Sequence, residues 1–128
     1  MAKIMVVEDN DVHRKLTCAI LQDDDHEVIE ASNGEEALGK LKNGVKVELV
    51  ILDERMPMKT GLECLESIRG MEEEAIKNIP VIFLTVVRKP EIETRKDIMV
   101  IHKPYDYKEF LRAVRATLSQ RIEKSQKV

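Results

Sequence analysis

The chain has 128 residues, 43% hydrophobic and 35% charged, which suits one globular domain with one sizeable core and excludes a long disordered chain. A formal net charge of −3 and an aromatic content of 3% argue against nucleic-acid binding, whether by a basic stripe or by base stacking. Cys18 and Cys64 lie outside any C-x-x-C pair or metal-ligand spacing and read as reduced core thiols, while no apolar run reaches signal-peptide or membrane-spanning length, so a cytoplasmic location is expected.

Residues 4–7 form a short apolar run ending in Glu8, Asp9 and Asn10, as suits a strand buried on both faces of a parallel sheet. A helical pattern follows, with Val12, Leu16, Ala19 and Ile20 on one face. Residues 28–31 read as a weaker second strand. Ser32-Asn33-Gly34-Glu35 has capping-box spacing, and Ala37, Leu38 and Leu41 supply the stripe of a helix that Gly44 closes. The apolar run 49–52 ends on another acid, Asp53. After Met56-Pro57, Leu62, Leu65 and Ile68 signal a further helix, and residues 70–78 read as a polar, acidic connection. Pro80 opens the run 81–84, which ends at Thr85, and the run 98–101 ends near Lys103-Pro104. In the last helix Asp106-x-x-Glu109 serves as a cap, and Phe110, Leu111, Val114, Leu118 and Ile122 keep helical spacing. Residues 1–120 read as the domain and 121–128 as a polar tail, with no repeat or linker.

Five apolar runs alternating with helical patterns predict an α/β fold with a parallel sheet covered on both faces. In such folds ligands sit outside the carboxyl ends of the strands, where Glu8, Asp9, Asp53, Thr85 and Lys103 all fall. Three clustered carboxylates repel unless neutralised, and a hard divalent cation such as magnesium takes oxygen ligands of this kind. Lys103 adds a flexible ammonium and Thr85 a hydroxyl, so the set combines an acidic nucleophile, a metal clamp and charge-stabilising donors, as phosphoryl transfer requires. Taken singly, each residue has a plainer role: Asp9 or Asn10 as a helix cap, Lys103 as a surface lysine before a turn. Four strand ends carrying matching chemistry favour the functional reading.

Val6-Val7-Glu8-Asp9-Asn10, then Leu52-Asp53-Glu54-Arg55-Met56-Pro57 with Gly61, then Thr85, then Lys103-Pro104, resemble the receiver domain of two-component response regulators. The segment from Ala31 to Leu38 is similar to the family's second strand-to-helix stretch. The resemblance implies a flavodoxin-like, doubly wound five-stranded sheet in the order 2-1-3-4-5. It makes Asp53 the phosphoacceptor, with magnesium held by Glu8, Asp9, Asp53 and the backbone carbonyl of Arg55. Thr85 would be the switch hydroxyl and Lys103 the partner of a phosphoryl oxygen. The implied phosphodonor is a histidine kinase or a histidine phosphotransfer protein, and the domain would be a regulated carrier, not a turnover enzyme. With no output domain after Leu118, it would stand alone as a monomer or weak dimer and signal through protein contacts.

Three departures from the family pattern bear on switching. Val86 stands where receivers carry a small residue, and is expected to narrow access to Asp53. Val100 occupies the position of a movable aromatic. The stretch from Thr85 to Lys103 is short by about one helical turn. Residues 88–97 are charged with Ile92 as the lone aliphatic, so the fourth helix is expected to be short, irregular or mobile. His13, His26 and His102 are scattered and read as solvated or capping residues. Two other readings compete: a receiver-like interaction module that no longer phosphorylates, and an aspartate-nucleophile phosphatase, which Arg55 disfavours because such enzymes place an acid there.

Overall fold

The computed structural model describes the backbone of residues 2–126 and the side chains of residues 2–120. In chain order the elements are β1 (Lys3–Val7), α1 (Asp11–Asp23), β2 (Glu27–Ala31), α2 (Gly34–Lys42), β3 (Leu49–Asp53), α3 (Gly61–Arg69), α4 (Glu74–Lys77), β4 (Val81–Thr85), α5 (Pro90–Glu93), β5 (Met99–His102) and α6 (Tyr107–Gln126). The five strands are parallel in the order β2-β1-β3-β4-β5, as the resemblance implied.

Strand side chains alternate between two cores, because successive residues point to opposite faces. Met5, Val7, Val50, Leu52, Val81 and Phe83 pack on the face covered by α2, α3 and α5. Ile4, Val6, Leu49, Ile51, Ile82 and Leu84 pack on the other, against Cys18 and Leu21 of α1 and Phe110 and Val114 of α6. The central strands β3 and β4 are buried along their whole length, which is why they read as unbroken apolar runs. Cys18 and Cys64 are free and buried, and burial raises both thiols to about 11. Among the described residues no helix is long and apolar enough to cross a membrane.

Helix ends are fixed by short-range polar contacts. Asn10 caps α1, its Oδ1 accepting from the His13 N–H at 2.9 Å. At α2 the cap sits one residue later than the predicted box: Asn33 accepts from the Glu36 N–H, and Glu36 accepts from both the N–H and the hydroxyl of Ser32. Glu36, not Glu35, reaches back because the third helical position is counted from Asn33. The end of α2 is a Schellman turn, with Val45 N–H donating to Lys40 O, Gly44 N–H to Leu41 O, and Gly44 at φ +96°. At α3, Thr60 and Glu63 form a complete capping box. Asp106 caps α6, its carboxylate accepting from the Lys108 N–H at 2.8 Å.

Three expectations change. Val12 and Leu16 do share a face of α1, but that face is exposed, at 74% and 59%, while Thr17, Cys18 and Leu21 turn inward. The connection 70–78 contains the one-turn helix α4, with Ile76 buried under it. The backbone of α6 continues through Gln126, into the segment expected to be a polar tail; the side chain of Ile122 and residues 127–128 lie outside the described residues. Between β4 and β5 the helix is reduced to the four residues of α5, as the charged sequence implied, and Ile92 is fully buried beneath it.

Candidate functional site

The strand register brings the predicted residues to one edge of the sheet. Val7 pairs with Leu52, Asp53 with Leu84, and Thr85 with His102, so the residues at or just past these ends emerge side by side. Carboxylate oxygens of Glu8, Asp9 and Asp53 lie within 4.8 Å of one another. Asp53 and Glu8 are buried, whereas Asp9 is exposed. Lys103 Nζ donates to Asp53 Oδ1 and stands 3.8 Å from Glu8 Oε1. One ammonium therefore lies against two of the three acids. Burial raises the Glu8 carboxyl to about 7, against the pull of the Asn10 N–H, with the Asp53 charge adding to the rise and Lys103 opposing it.

Thr85 is buried, and its Oγ1 accepts from the Val87 N–H at 3.0 Å. The Lys103 N–H donates to Thr85 O at 2.8 Å, fixing the strand end that delivers the ammonium. The Lys103-Pro104 peptide is cis. Gly61 packs on the strand end that carries the acid: a Cβ there would stand 2.4 Å from Asp53 O and 2.8 Å from Glu54 Cα, so only glycine fits.

A cleft of about 870 Å³ runs from Asp53 and Lys103 between α1 and α6, past Thr17, Ile20, Tyr105 and Leu111. Tyr105 stacks on Phe110 at 5.5 Å, and burial raises its hydroxyl. Val86 is 49% exposed and stands outside the lining of this cleft. Val100 packs half-buried against the α2/α3 core, an aliphatic side chain with no ring to move. Arg55 is exposed and flanks Asp9 in a second, shallower cleft.

Two contributors were not legible in the sequence. Glu54 is buried beside Asp53, accepts from the Leu62 N–H at 3.1 Å, and lies 3.8 Å from Lys89 Nζ; burial raises its carboxyl. Arg14 donates to the main-chain carbonyl of Glu8 at 2.9 Å. The same guanidinium pairs with Asp11 of α1 and with Glu30 of β2, a partner with no local signal in the sequence.

The family model for the response regulator receiver domain matches residues 4–115, nearly the whole of this sheet and its crevice. The chain belongs to that family. The receiver is 37% identical over 89 residues, or 70% of its length, to the CAI-1 autoinducer sensor kinase/phosphatase CqsS of Vibrio cholerae, and covers 13% of that protein. It is 30% identical over its full length to the transcriptional regulatory protein CpxR homolog of Haemophilus influenzae, and covers 55% of it. Both relatives are thus much longer than this chain. Among solved structures, the chemotaxis protein CheY4 of Vibrio cholerae superposes on the receiver with a TM-score of 0.80 at 28% identity, covering 91% of this chain and 98% of that one.

Proposed function

We propose that this receiver takes a phosphoryl group onto Asp53 from a phosphohistidine on a histidine kinase or histidine phosphotransfer protein, and signals through protein contacts. The observation that carries the reading is the trio Glu8, Asp9 and Asp53, with oxygens within 4.8 Å and Lys103 bonded to Asp53. An all-oxygen, multiply charged donor set opposed by one ammonium fits a hard divalent ion, and magnesium suits it. Glu8, Asp9, Asp53 and the carbonyl of Arg55 would hold the ion, which when bound neutralises charge on the phosphoryl oxygens.

Asp53 is the nucleophile. A bond forms between its carboxylate oxygen and phosphorus, and the P–N bond to the donor imidazole breaks with its electron pair left on nitrogen. Lys103, now paired with Asp53, shifts to a phosphoryl oxygen, and the Thr85 hydroxyl donates to another. The acyl phosphate later hydrolyses, which makes the domain a timed carrier and not a turnover enzyme. The donor arrives along the exposed face of α1 that carries Val12 and Leu16; Leu16 and Tyr107 line the cleft that leads to Asp53.

Incubation with acetyl phosphate should add the mass of one phosphoryl group, in the presence of magnesium and not in its absence. Asp53→Asn should stay unmodified. No modification of the wild type under any condition, or equal labelling of the variant, overturns the proposal in favour of an interaction module that no longer phosphorylates.

A further inference from the structure

The acidic trio depends on a short loop, Glu8-Asp9-Asn10, whose main chain must be held while like charges crowd its side chains. Three contacts hold it. The Glu8 N–H donates to Ala31 O at 3.1 Å, extending the β1–β2 ladder by one residue. Asn10 caps α1, and its own N–H donates to Glu8 Oε2 at 3.2 Å. The third contact is Arg14, whose Nη1 donates at 2.9 Å to the carbonyl of the peptide that joins Glu8 to Asp9.

Arg14 is itself immobilised. Its side chain is 11% exposed, Nε donates to Glu30 Oε1 at 3.0 Å, and Nη2 donates to Asp11 Oδ1 at 2.6 Å. Glu30 is gripped in turn by Lys15 at 2.9 Å. A planar guanidinium engaged on three sides is a rigid fork, and the group it points at is the peptide plane from which Asp9 projects.

We infer that Arg14 is a positioning residue of the magnesium site: it fixes the peptide between Glu8 and Asp9, and so aims both carboxylates, without touching the ion. The inference rests on the reading of the trio as a magnesium site. Contacts that orient ligands from behind commonly govern metal affinity as much as some ligands do. Two other roles for Arg14 make different predictions. A positive charge this close to the acids opposes a cation, so if charge alone mattered, its removal would tighten magnesium binding. If Arg14 only held the fold together, its variants would melt earlier but bind magnesium as before.

The test is calorimetric titration of magnesium chloride into wild type, Arg14→Met, Arg14→Lys and Lys15→Met, each paired with a thermal melt. Arg14→Met should bind magnesium about tenfold more weakly while still folded at the titration temperature. Arg14→Lys keeps the charge and the stem but cannot reach Glu8 O, Glu30 and Asp11 together, so it should also bind more weakly. It carries the test if Arg14→Met fails to fold. Lys15→Met loses the other grip on Glu30 and leaves the Glu8 carbonyl alone, so its affinity should match wild type. Unchanged or tighter binding in the folded Arg14 variants overturns this inference while leaving the magnesium site standing. Absence of magnesium binding in the wild type overturns the site and the inference together.

Discussion

Glu93 Oε1 stands 2.8 Å from His102 Nε2, so the four-residue helix α5 meets the strand end that delivers Lys103. Further contacts hold the rest of this short connection. Arg69 Nε and Arg95 Nη2 both bind Asp97 Oδ2, at 2.9 and 2.7 Å, and Arg69 also donates to the carbonyls of Lys77, Ile79 and Asp97. Arg95 pairs with Glu66 of α3. With Ile92 buried beneath, residues 92–97 are anchored by ion pairs in place of the apolar stripe a longer helix would have supplied. Over 92–97 these contacts oppose the looseness expected of the charged segment, whose beginning at Arg88 and Lys89 is exposed.

The Asp97 cluster gives a pH signature. Arg95, and then Arg69, hold its carboxyl below the ordinary aspartate range. A depressed folded-state value means the stabilisation is complete above the unfolded value and is lost as pH falls. The side chain is 37% exposed, so screening keeps the effect of Asp97→Asn near about 1 kcal/mol at pH 7. Urea unfolding at several pH values should show the gap between variant and wild type closing below about pH 4. A gap that stays constant with pH would mean that shape, not charge, holds this corner.

Gly61 and Gly39 make a matched pair. An alanine Cβ at 61 would collide with the main chain of Asp53 and Glu54, whereas at 39, inside α2, nothing lies within 4 Å. Gly61→Ala should therefore cost about 3 kcal/mol and impair phosphorylation by displacing the strand end. Gly39→Ala should stabilise by about 0.5–1 kcal/mol through higher helix propensity. Denaturation midpoints decide it, and equal effects at the two sites would refute the close approach at Gly61.

Glu8 sets stability against binding. Its carboxyl is raised to about 7 by burial, with the Asp53 charge adding to the rise. A raised folded-state value means that the magnesium-free protein loses stability as pH climbs from the ordinary glutamate range towards 7. Glu8→Gln removes the buried charge and should stabilise the metal-free protein at pH 8, on the order of 1–3 kcal/mol. The same variant should lose magnesium-dependent phosphorylation by acetyl phosphate. Thermal melts in a chelator test the first effect; a variant that melts at or below wild type at pH 8 would show that the Glu8 charge carries no strain.

Much of this arrangement was legible because parallel strands buried on both faces leave unbroken apolar runs, and the residues closing those runs fall at one edge of the sheet. Glu8, Asp9, Asp53, Thr85 and Lys103 were found that way. Periodicity misled at α1, since a pair such as Val12 and Leu16 has the same spacing whether it meets a core or faces solvent. The one-turn helix α4 was hidden by Glu72, Glu73 and Glu74, with Ile76 as its single buried anchor. Arg14 and Glu54 were invisible for another reason. Their roles come from partners on other elements, which no local pattern encodes.

Thr85 offers the last prediction. Its Oγ1 now accepts from the Val87 N–H, which closes a tight turn at the end of β4. If the hydroxyl rotates to donate to a phosphoryl group on Asp53, that turn loses its acceptor, and Val87 N–H is released to solvent or to a new partner. The next residues can follow, because Val86, Arg88 and Lys89 are exposed and Lys89 reaches Glu54 only at 3.8 Å. Farther along, Ile92 and the Asp97 cluster resist movement. The switch should therefore be local, with faster amide exchange over 86–89, little change over 92–97, and no side-chain transition at Val100. Hydrogen exchange with and without beryllofluoride and magnesium would read this directly. Changes concentrated in β5 and α6, with 86–89 unaltered, would place the moving element elsewhere and end this account.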